Sequence, residues 1–341
     1  MFEDPQELFA FCSVLRDNGN GDHAIALAKQ ALAENPDNPE IIAVTQMFLS
    51  HKVHSYHRLM LADTPRNDAY LAMINRHAKG RRILDIGTGT GLLAMMAVRA
   101  GAEHVYACEV NPNKADLARD IIAQNGMSDA ITVLNAYSLD LDKDRDLDGG
   151  VDCVLSELYT ANIIGESLIQ AMAHAQKELT LPGAIILPPK VSVMGALAHC
   201  DLGAPIGDVA GFDLSLLERQ LNYHALIDPK DAVQYQNGPG EVLCDIEFLP
   251  DTPIAMRGRS ITSLTSNGGT VSGVLYWMRI EFDADIHYEN QPGGDRRYHW
   301  SVRFEPFDQP RETAAGETIP VGCAHNSNEI LIWNDSAAQS V

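Results

Sequence analysis

The stretch Arg82-Ile83-Leu84-Asp85-Ile86-Gly87-Thr88-Gly89-Thr90-Gly91 decides the fold of this 341-residue chain. Its first half is a short apolar run, the pattern of a strand buried on both faces. Its second half is a glycine loop, where the backbone can turn sharply and lie close to a ligand. Working outward, Gly91 to Ala100 predicts a helix, His104 to Glu109 a strand, Lys114 to Asn125 a helix and Ile131 to Leu134 a strand. Val151 to Glu157 reads as a fourth strand, about 165–179 as a helix and Ala184 to Leu187 as a further strand, closed by Pro188-Pro189. Strands alternating with helices of this length predict a parallel, doubly wound sheet.

Beyond Pro189 the helical period largely disappears. Val191–Leu197, Val242–Phe248, Ser260–Thr265, Val271–Phe282, Tyr298–Glu305 and Glu329–Trp333 are short strand-like runs, with Asn267-Gly268-Gly269 as a hairpin turn. Together they predict an antiparallel barrel or sandwich. Asp213 to Asn222 reads as a short helix making an excursion out of that wall. At the other end, residues 5–38 read as a helical hairpin. Leu8, Phe9, Cys12 and Leu15 form one apolar stripe, and Ala24, Ile25, Leu27, Ala28, Ala31 and Leu32 the second. Counted from Pro5, the positions of Ala24, Ala31 and Pro36 fit one tetratricopeptide-like (TPR-like) unit. A single unit cannot bury its own face, so it must pack on the next helix, about 40–50, or on the main body, and with one copy a brace for the core is favoured over a docking module. The chain thus divides into a helical extension (1–48), an α/β domain (49–189) and a β domain (190–341).

Composition narrows the function. Twenty-five Lys and Arg stand against 46 Asp and Glu, a net charge of −21 that argues against nucleic-acid binding. No run of about 18 apolar residues occurs, so no membrane span is expected. The N-terminus lacks a secretory pattern, and six scattered cysteines without a C-x-x-C pair suit reduced thiols, hence a cytoplasmic location. The histidines and cysteines show no metal spacing, and no metal is assigned.

The loop Asp85-Ile86-Gly87-Thr88-Gly89-Thr90-Gly91 has the spacing G-x-G-x-G after an acid. A dinucleotide fingerprint needs glycine at 92, where Leu92 stands, which disfavours an NAD-dependent oxidoreductase. S-adenosylmethionine (AdoMet) suits the loop better, because its aminoacyl end can use the acid. Glu109 ends the next strand, where a carboxylate can take both ribose hydroxyls. After the fourth strand, Glu157 and Glu166 bracket an almost uncharged loop. Two carboxylates in an apolar setting require a partner cation, and a planar guanidinium is the natural one. A glycosidase-like acid/base pair is a second reading, but it leaves the AdoMet loop unexplained.

Four motifs occur in order: Ser55-Tyr56-His57-Arg58-Leu59-Met60-Leu61-Ala62-Asp63-Thr64-Pro65-Arg66-Asn67, the glycine loop, the two-glutamate loop and Tyr298-His299-Trp300. Over about residues 50–335 the chain resembles the protein arginine N-methyltransferase family, nearest the divergent branch that includes human members seven and nine. The resemblance implies a class I AdoMet-dependent methyltransferase, with a Rossmann-like sheet followed by a β-barrel and S-adenosylhomocysteine (AdoHcy) as product. It implies that Glu157 and Glu166 grip the substrate guanidinium and that Met60 lies beside the transferred methyl. Asp63 is expected to pair with His299, with Trp300 in the same loop. Arg66 is expected at the AdoMet carboxylate and Asp85 and Gly87 near its aminoacyl end. Glu109 is expected at the ribose and Ser138 on the adenine side, with His57, Thr90, Leu93 and Val110 also lining the cofactor. The excursion at about 205–228 resembles a dimerisation arm, which implies a homodimer.

The chain departs from the family pattern at Tyr298 and at Ser301-Val302, and His51 and His54 stand where an aromatic residue is expected. These positions bear on the substrate mouth and the degree of methylation. Arginine in proteins or peptides is the expected substrate, and free L-arginine the alternative. A binding or scaffold protein on a retired methyltransferase fold is disfavoured by the joint presence of Asp85, Glu109, Glu157, Glu166 and His299.

Overall fold

The computed structural model describes residues 4–50, 56–201, 207–218, 225–293 and 299–335. At the N-terminus, α1 (Pro5–Asp17), α2 (Gly21–Glu34) and α3 (Pro39–Ser50) pack side by side. Asp4 starts α1 by accepting the Gln6 amide, and the Asn18–Asn20 turn reverses the chain. Leu8, Cys12, Ala24, Ile25, Ala28, Ala31, Ile41 and Phe48 form an apolar cluster of their own. The third helix supplies the cover that a two-helix hairpin lacks, as the sequence requires. The Asn113 side chain donates to Asp22 at 2.9 Å, joining this bundle to the α/β body.

Next come α4 (Tyr56–Ala62) and α5 (Thr64–His77), then the alternation β1 (Arg82–Ile86), α6 (Leu92–Arg99), β2 (His104–Cys108), α7 (Pro112–Gln124) and β3 (Ile131–Leu134). A 3-10 turn at Ser138–Asp140, α8 (Lys143–Asp146), β4 (Val151–Ser156), α9 (Leu168–His174) and β5 (Thr180–Leu187) complete the domain. The five strands are parallel in the order β3-β2-β1-β4-β5. The order reverses beside β1, so a crevice opens at the carboxyl ends of β1, β2 and β4. Asp85, Glu109 and Glu157 stand at or just past those three ends.

The C-terminal half is antiparallel. Its strands are β6 (Lys190–Ala198), β7 (Asp208–Val209), β8 (Phe212–Asp213), β9 (Ala225–Ile227), β10 (Glu241–Glu247), β11 (Gly258–Thr265), β12 (Gly269–Asp283), β13 (Ile286–Glu289), β14 (Val302–Thr313), β15 (Thr318–His325) and β16 (Ile330–Asn334). Short helices α10 (Ser215–Glu218) and α11 (Pro229–Ala232) lie between them. One sheet runs β10-β6-β12-β14-β9 and a second β11-β15-β16. Val271, Val274, Tyr276, Ile319, Val321 and Cys323 are buried in an apolar core continuous with that of the α/β domain. Among the described residues no helix is long and apolar enough to cross a membrane.

Several expectations shift in detail. The final parallel strand begins at Thr180 rather than Ala184; the exposed Pro182 and Gly183 in its first half conceal the strand pattern. The helix expected at about 165–179 is α-helical only over Leu168–His174 and ends as a π turn over Ala175–Leu179. Strand β15, Thr318–His325, was not expected, although it is the centre of the smaller sheet. Pro320 and Gly322 obscure its alternation. Of the excursion, β7, β8 and α10 are seen, while residues 202–206 and 219–224 lie outside the described residues, as do Ser55, Tyr298, His51 and His54.

Gly322 lies directly opposite Trp333, and a Cβ there would run into the indole ring. Gly322→Ala is therefore expected to destabilise the protein by about 1–3 kcal/mol, the usual cost of overpacking. Thermal unfolding checks this, and the loss should largely vanish when Trp333 is also replaced by Leu.

Candidate active site

The corner between α4 and α5 organises the site. Asp63 is the N-cap of α5 and its carboxylate accepts the Arg66 amide at 3.1 Å, with Pro65 in the first turn. The Asp63 amide in turn donates to the Met60 carbonyl at 3.2 Å. Capping uses one carboxylate oxygen. The other, Oδ2, accepts from Tyr288 Oη at 2.8 Å and the His299 amide at 3.2 Å, and lies 3.0 Å from His299 Nδ1. Burial alone would raise the Asp63 pKa, but the hydrogen bonds from His299, Tyr288 and Arg66 hold it below the usual carboxylate value. Trp300 is buried edge-on to Tyr288, and its carbonyl accepts from Asn290 at 3.2 Å. The expected Asp63–His299 pair is therefore present.

One turn into α5, Arg66 is 2% exposed, against the surface position that an isolated arginine would take. Its Nη2 lies 2.5 Å from Glu157 Oε2. The guanidinium sits 5.2 Å from the Tyr70 ring, whose hydroxyl donates to the Ser156 carbonyl at 3.2 Å. Burial pushes the Glu157 pKa up while Arg66 and His299 pull it down and Glu166 pushes it up again. Removing either member of such a pair leaves a buried charge, at a cost of about 3–5 kcal/mol. The cation expected beside the two glutamates is thus supplied, for Glu157, by the chain itself.

Glu166 differs from Glu157 in being exposed. The loop between them is tightly specified. Thr160 Oγ1 accepts the Asn162 amide at 3.1 Å and donates to the Ile164 carbonyl at 3.0 Å. Ile163, Glu166 and Ser167 all have left-handed backbones, with φ of 69°, 46° and 61°. Non-glycine residues held this way cluster at functional sites. Tyr137 Oη donates to Ser167 Oγ at 3.0 Å, tying this loop to the turn that begins at the buried Ser138.

On the cofactor side, Asp85 is 1% exposed and its Oδ2 accepts from Thr88 Oγ1 at 2.6 Å. Burial pushes its pKa up to about 6, against the pull of Thr88 and Arg66. Glu109 accepts the Gly89 amide at 3.2 Å and the Asn111 amide at 2.9 Å. Gly89 has φ +58° and only its own loop within reach of a Cβ, so its backbone faces open space. Two buried atoms here, Asp85 Oδ1 and Arg66 Nε, have no hydrogen-bond partner among the described residues. An aminoacyl zwitterion has the ammonium and carboxylate that such a pair of orphans calls for, so the residues present fit AdoMet. Leu93 is buried, Thr90 half-buried, and Val110 lies exposed at the rim. Met60 is half-buried on α4, and the side chain of His57 lies outside the described residues.

Residues 69–188 match the family described as Ribosomal protein L11 methyltransferase (PrmA). An arginine N(omega)-methyltransferase of Streptomyces achromogenes subsp. streptozoticus is 34% identical over 307 residues, 86% of this chain and 83% of that protein. The chain belongs to the arginine N-methyltransferase family. Protein arginine N-methyltransferase 9 of Mus musculus is 33% identical over 83% of this chain, which spans only 38% of that longer relative. The structure of the Trypanosoma brucei PRMT1 enzyme–prozyme heterotetrameric complex with AdoHcy superposes with a TM-score of 0.70. It is 21% identical and covers 80% of this chain and 88% of its own. This methyltransferase therefore joins a parallel, Rossmann-like domain to an antiparallel β domain.

Sequence reasoning missed Tyr288, Tyr70, Thr88, Tyr137 and Asn67. Each acts through its contact with a charged or loop residue that the fold brings to it. Thr88 had the best available signal, a hydroxyl three residues after the loop acid.

Asp85 gives a pH dependence with a definite sign. Its folded pKa of about 6 lies above the ordinary 3.8, so the folded state binds the proton more tightly. That stabilisation is complete below pH 3.8 and is lost as pH rises through about 6. Asp85→Asn should flatten the stability curve across that interval, measured by thermal unfolding, and should weaken AdoHcy binding measured by calorimetry.

Proposed function

We propose that this enzyme methylates a guanidino nitrogen of arginine presented in a protein or peptide. The observation that carries this reading is the buried Arg66–Glu157 pair beside Asp63–His299 at the switch point of the sheet. AdoMet supplies an electrophilic methyl group when bound. Arg66 and Asp85 would hold its aminoacyl end, Glu109 its ribose, and Ser138, His57, Thr90, Leu93 and Val110 would line the remainder. Glu157 binds Arg66 through Oε2, which leaves Oε1 for a substrate nitrogen. Exposed Glu166 closes the other side of the guanidinium, and Met60 packs beside the reacting centre.

Holding the nitrogen in line is worth up to about 7–11 kcal/mol. The two carboxylates also keep positive charge on the nitrogens that are not methylated, and they stabilise the product cation. The proton leaves late, to Glu166 or to the His299–Asp63 pair. The acidic surface, net −21, draws cationic substrates to this mouth.

A second reading is methylation of free L-arginine. It is favoured by the Streptomyces relative, named for arginine and matched over most of its length, whereas mouse member nine is matched over 38%. Incubation with labelled AdoMet and either arginine-rich peptides or L-arginine, followed by mass spectrometry after hydrolysis, tests both. Label in peptide arginine supports the first reading, label only in free arginine the second, and none in either defeats both. Glu157→Gln and Glu166→Gln should each lower the rate at least about 100-fold. Near-normal turnover in either variant would sink the double-carboxylate mechanism.

A homodimer is the expected assembly. Val209, Phe212, Leu216 and Leu217 are half or more exposed, or nearly so, on the excursion, which supports its use as a dimerisation arm. Light scattering should return twice the chain mass of 37.2 kDa, and Phe212→Asp should return the single chain. Six free cysteines support a cytoplasmic location.

A further inference from the structure

Asn67 follows the arginine of the buried ion pair and faces two ways. Its Oδ1 accepts from Arg66 Nη1 at 2.8 Å, and its Nδ2 donates to the Leu61 carbonyl in the last turn of α4 at 2.9 Å. We propose that Asn67 is a positioning residue that locks the Arg66 guanidinium to helix α4, so that the cofactor-binding arginine and Met60 move as one unit. The proposal rests on the cofactor reading above, in which Arg66 meets the AdoMet carboxylate.

The chemistry of the side chain carries the assignment. The site asks for an acceptor toward a guanidinium and a donor toward a carbonyl, at short reach. A carboxamide offers both. Aspartate can only accept, serine is too short to span the two groups, and leucine offers neither. The chain of contacts is continuous: Glu157 to Arg66 Nη2, Arg66 Nη1 to Asn67, Asn67 to Leu61. Arg66 Nε is left without a partner among the described residues, so the two Nη contacts set the plane of the guanidinium. The Leu61 carbonyl adjoins Met60, whose own carbonyl takes the Asp63 amide. The Met60 and Leu61 carbonyls are therefore both held from the start of α5, one by the Asp63 amide and one by Asn67. An error in the guanidinium plane would misplace the cofactor carboxylate and, through α4, the methionine.

The test is a double-mutant cycle on the full chain, read by calorimetry with AdoHcy. Wild type, Asn67→Ala, Arg66→Lys and the double variant are compared, with thermal unfolding as the check on folding. Asn67→Ala should weaken AdoHcy about tenfold, close to the lower end of what a hydrogen bond to a charged group is worth. In the Arg66→Lys background the same change should cost less than twofold, because its effect runs through the guanidinium. Wild-type affinity in Asn67→Ala, or losses that simply add, overturns the proposal.

If the Arg66→Lys chains do not unfold cooperatively, Asn67→Asp answers by hydrogen exchange. It keeps an acceptor beside Arg66 but cannot donate to Leu61, so amides 56–62 should exchange faster with AdoHcy bound. Unchanged exchange there overturns the link. Wild-type protein that does not bind AdoHcy defeats the cofactor reading and this proposal together. Wild-type binding with no effect at Asn67 defeats the proposal alone.

Discussion

The buried ion pair between Arg66 and Glu157 is the interaction on which the site depends. The two charges are 91 residues apart in sequence and 2.5 Å apart in space. Neither could be buried alone, because desolvating a lone charge costs several kcal/mol. Burial of the pair therefore requires that α5 and the end of β4 be held in register. The Tyr70 ring beside Arg66 and its hydrogen bond to the Ser156 carbonyl do this from the same helix face, one turn further on. A pair of this kind specifies a geometry more than it adds stability.

Asp63 extends the same constraint into the β domain. One short carboxylate caps α5, receives a tyrosine from β13 and orients a histidine from the segment before β14. Asp63 thus gathers two neighbouring segments that lie more than 200 residues further along the chain. Its depressed pKa follows from that convergence: the hydrogen bonds favour the charged form more than burial opposes it. Asp85 shows the opposite balance, with burial winning over the pull of Thr88 and Arg66. The contrast suits their proposed tasks. One carboxylate is fixed as a structural anion, while the other awaits a cation.

Much of the fold was legible in advance. The alternation from Arg82 to Leu187 has the period of a parallel sheet, and each strand is an apolar run bounded by a loop. Such runs are insensitive to context, because burial on both faces admits few other residues. The β domain was legible less well. Strand β15 escaped because Pro320 and Gly322 interrupt its pattern, yet its outward face must be small where Trp333 lies across it. Likewise the exposed start of β5 carries turn residues that conceal a strand paired on one side only.

By itself the sequence marked the acid before the glycine loop, the strand-end Glu109 and the glutamates bracketing a neutral loop, whereas Arg66 was singled out only by the family resemblance. The acids are local: their spacing along one element decides their place at the sheet edge. Tertiary structure alone decided which charges meet. It set Arg66 beside Glu157, buried one glutamate and exposed the other, and brought Tyr288 to Asp63. The reason is physical. A charge finds its partner through the low-dielectric interior that the whole fold creates, and no short window of sequence contains that interior.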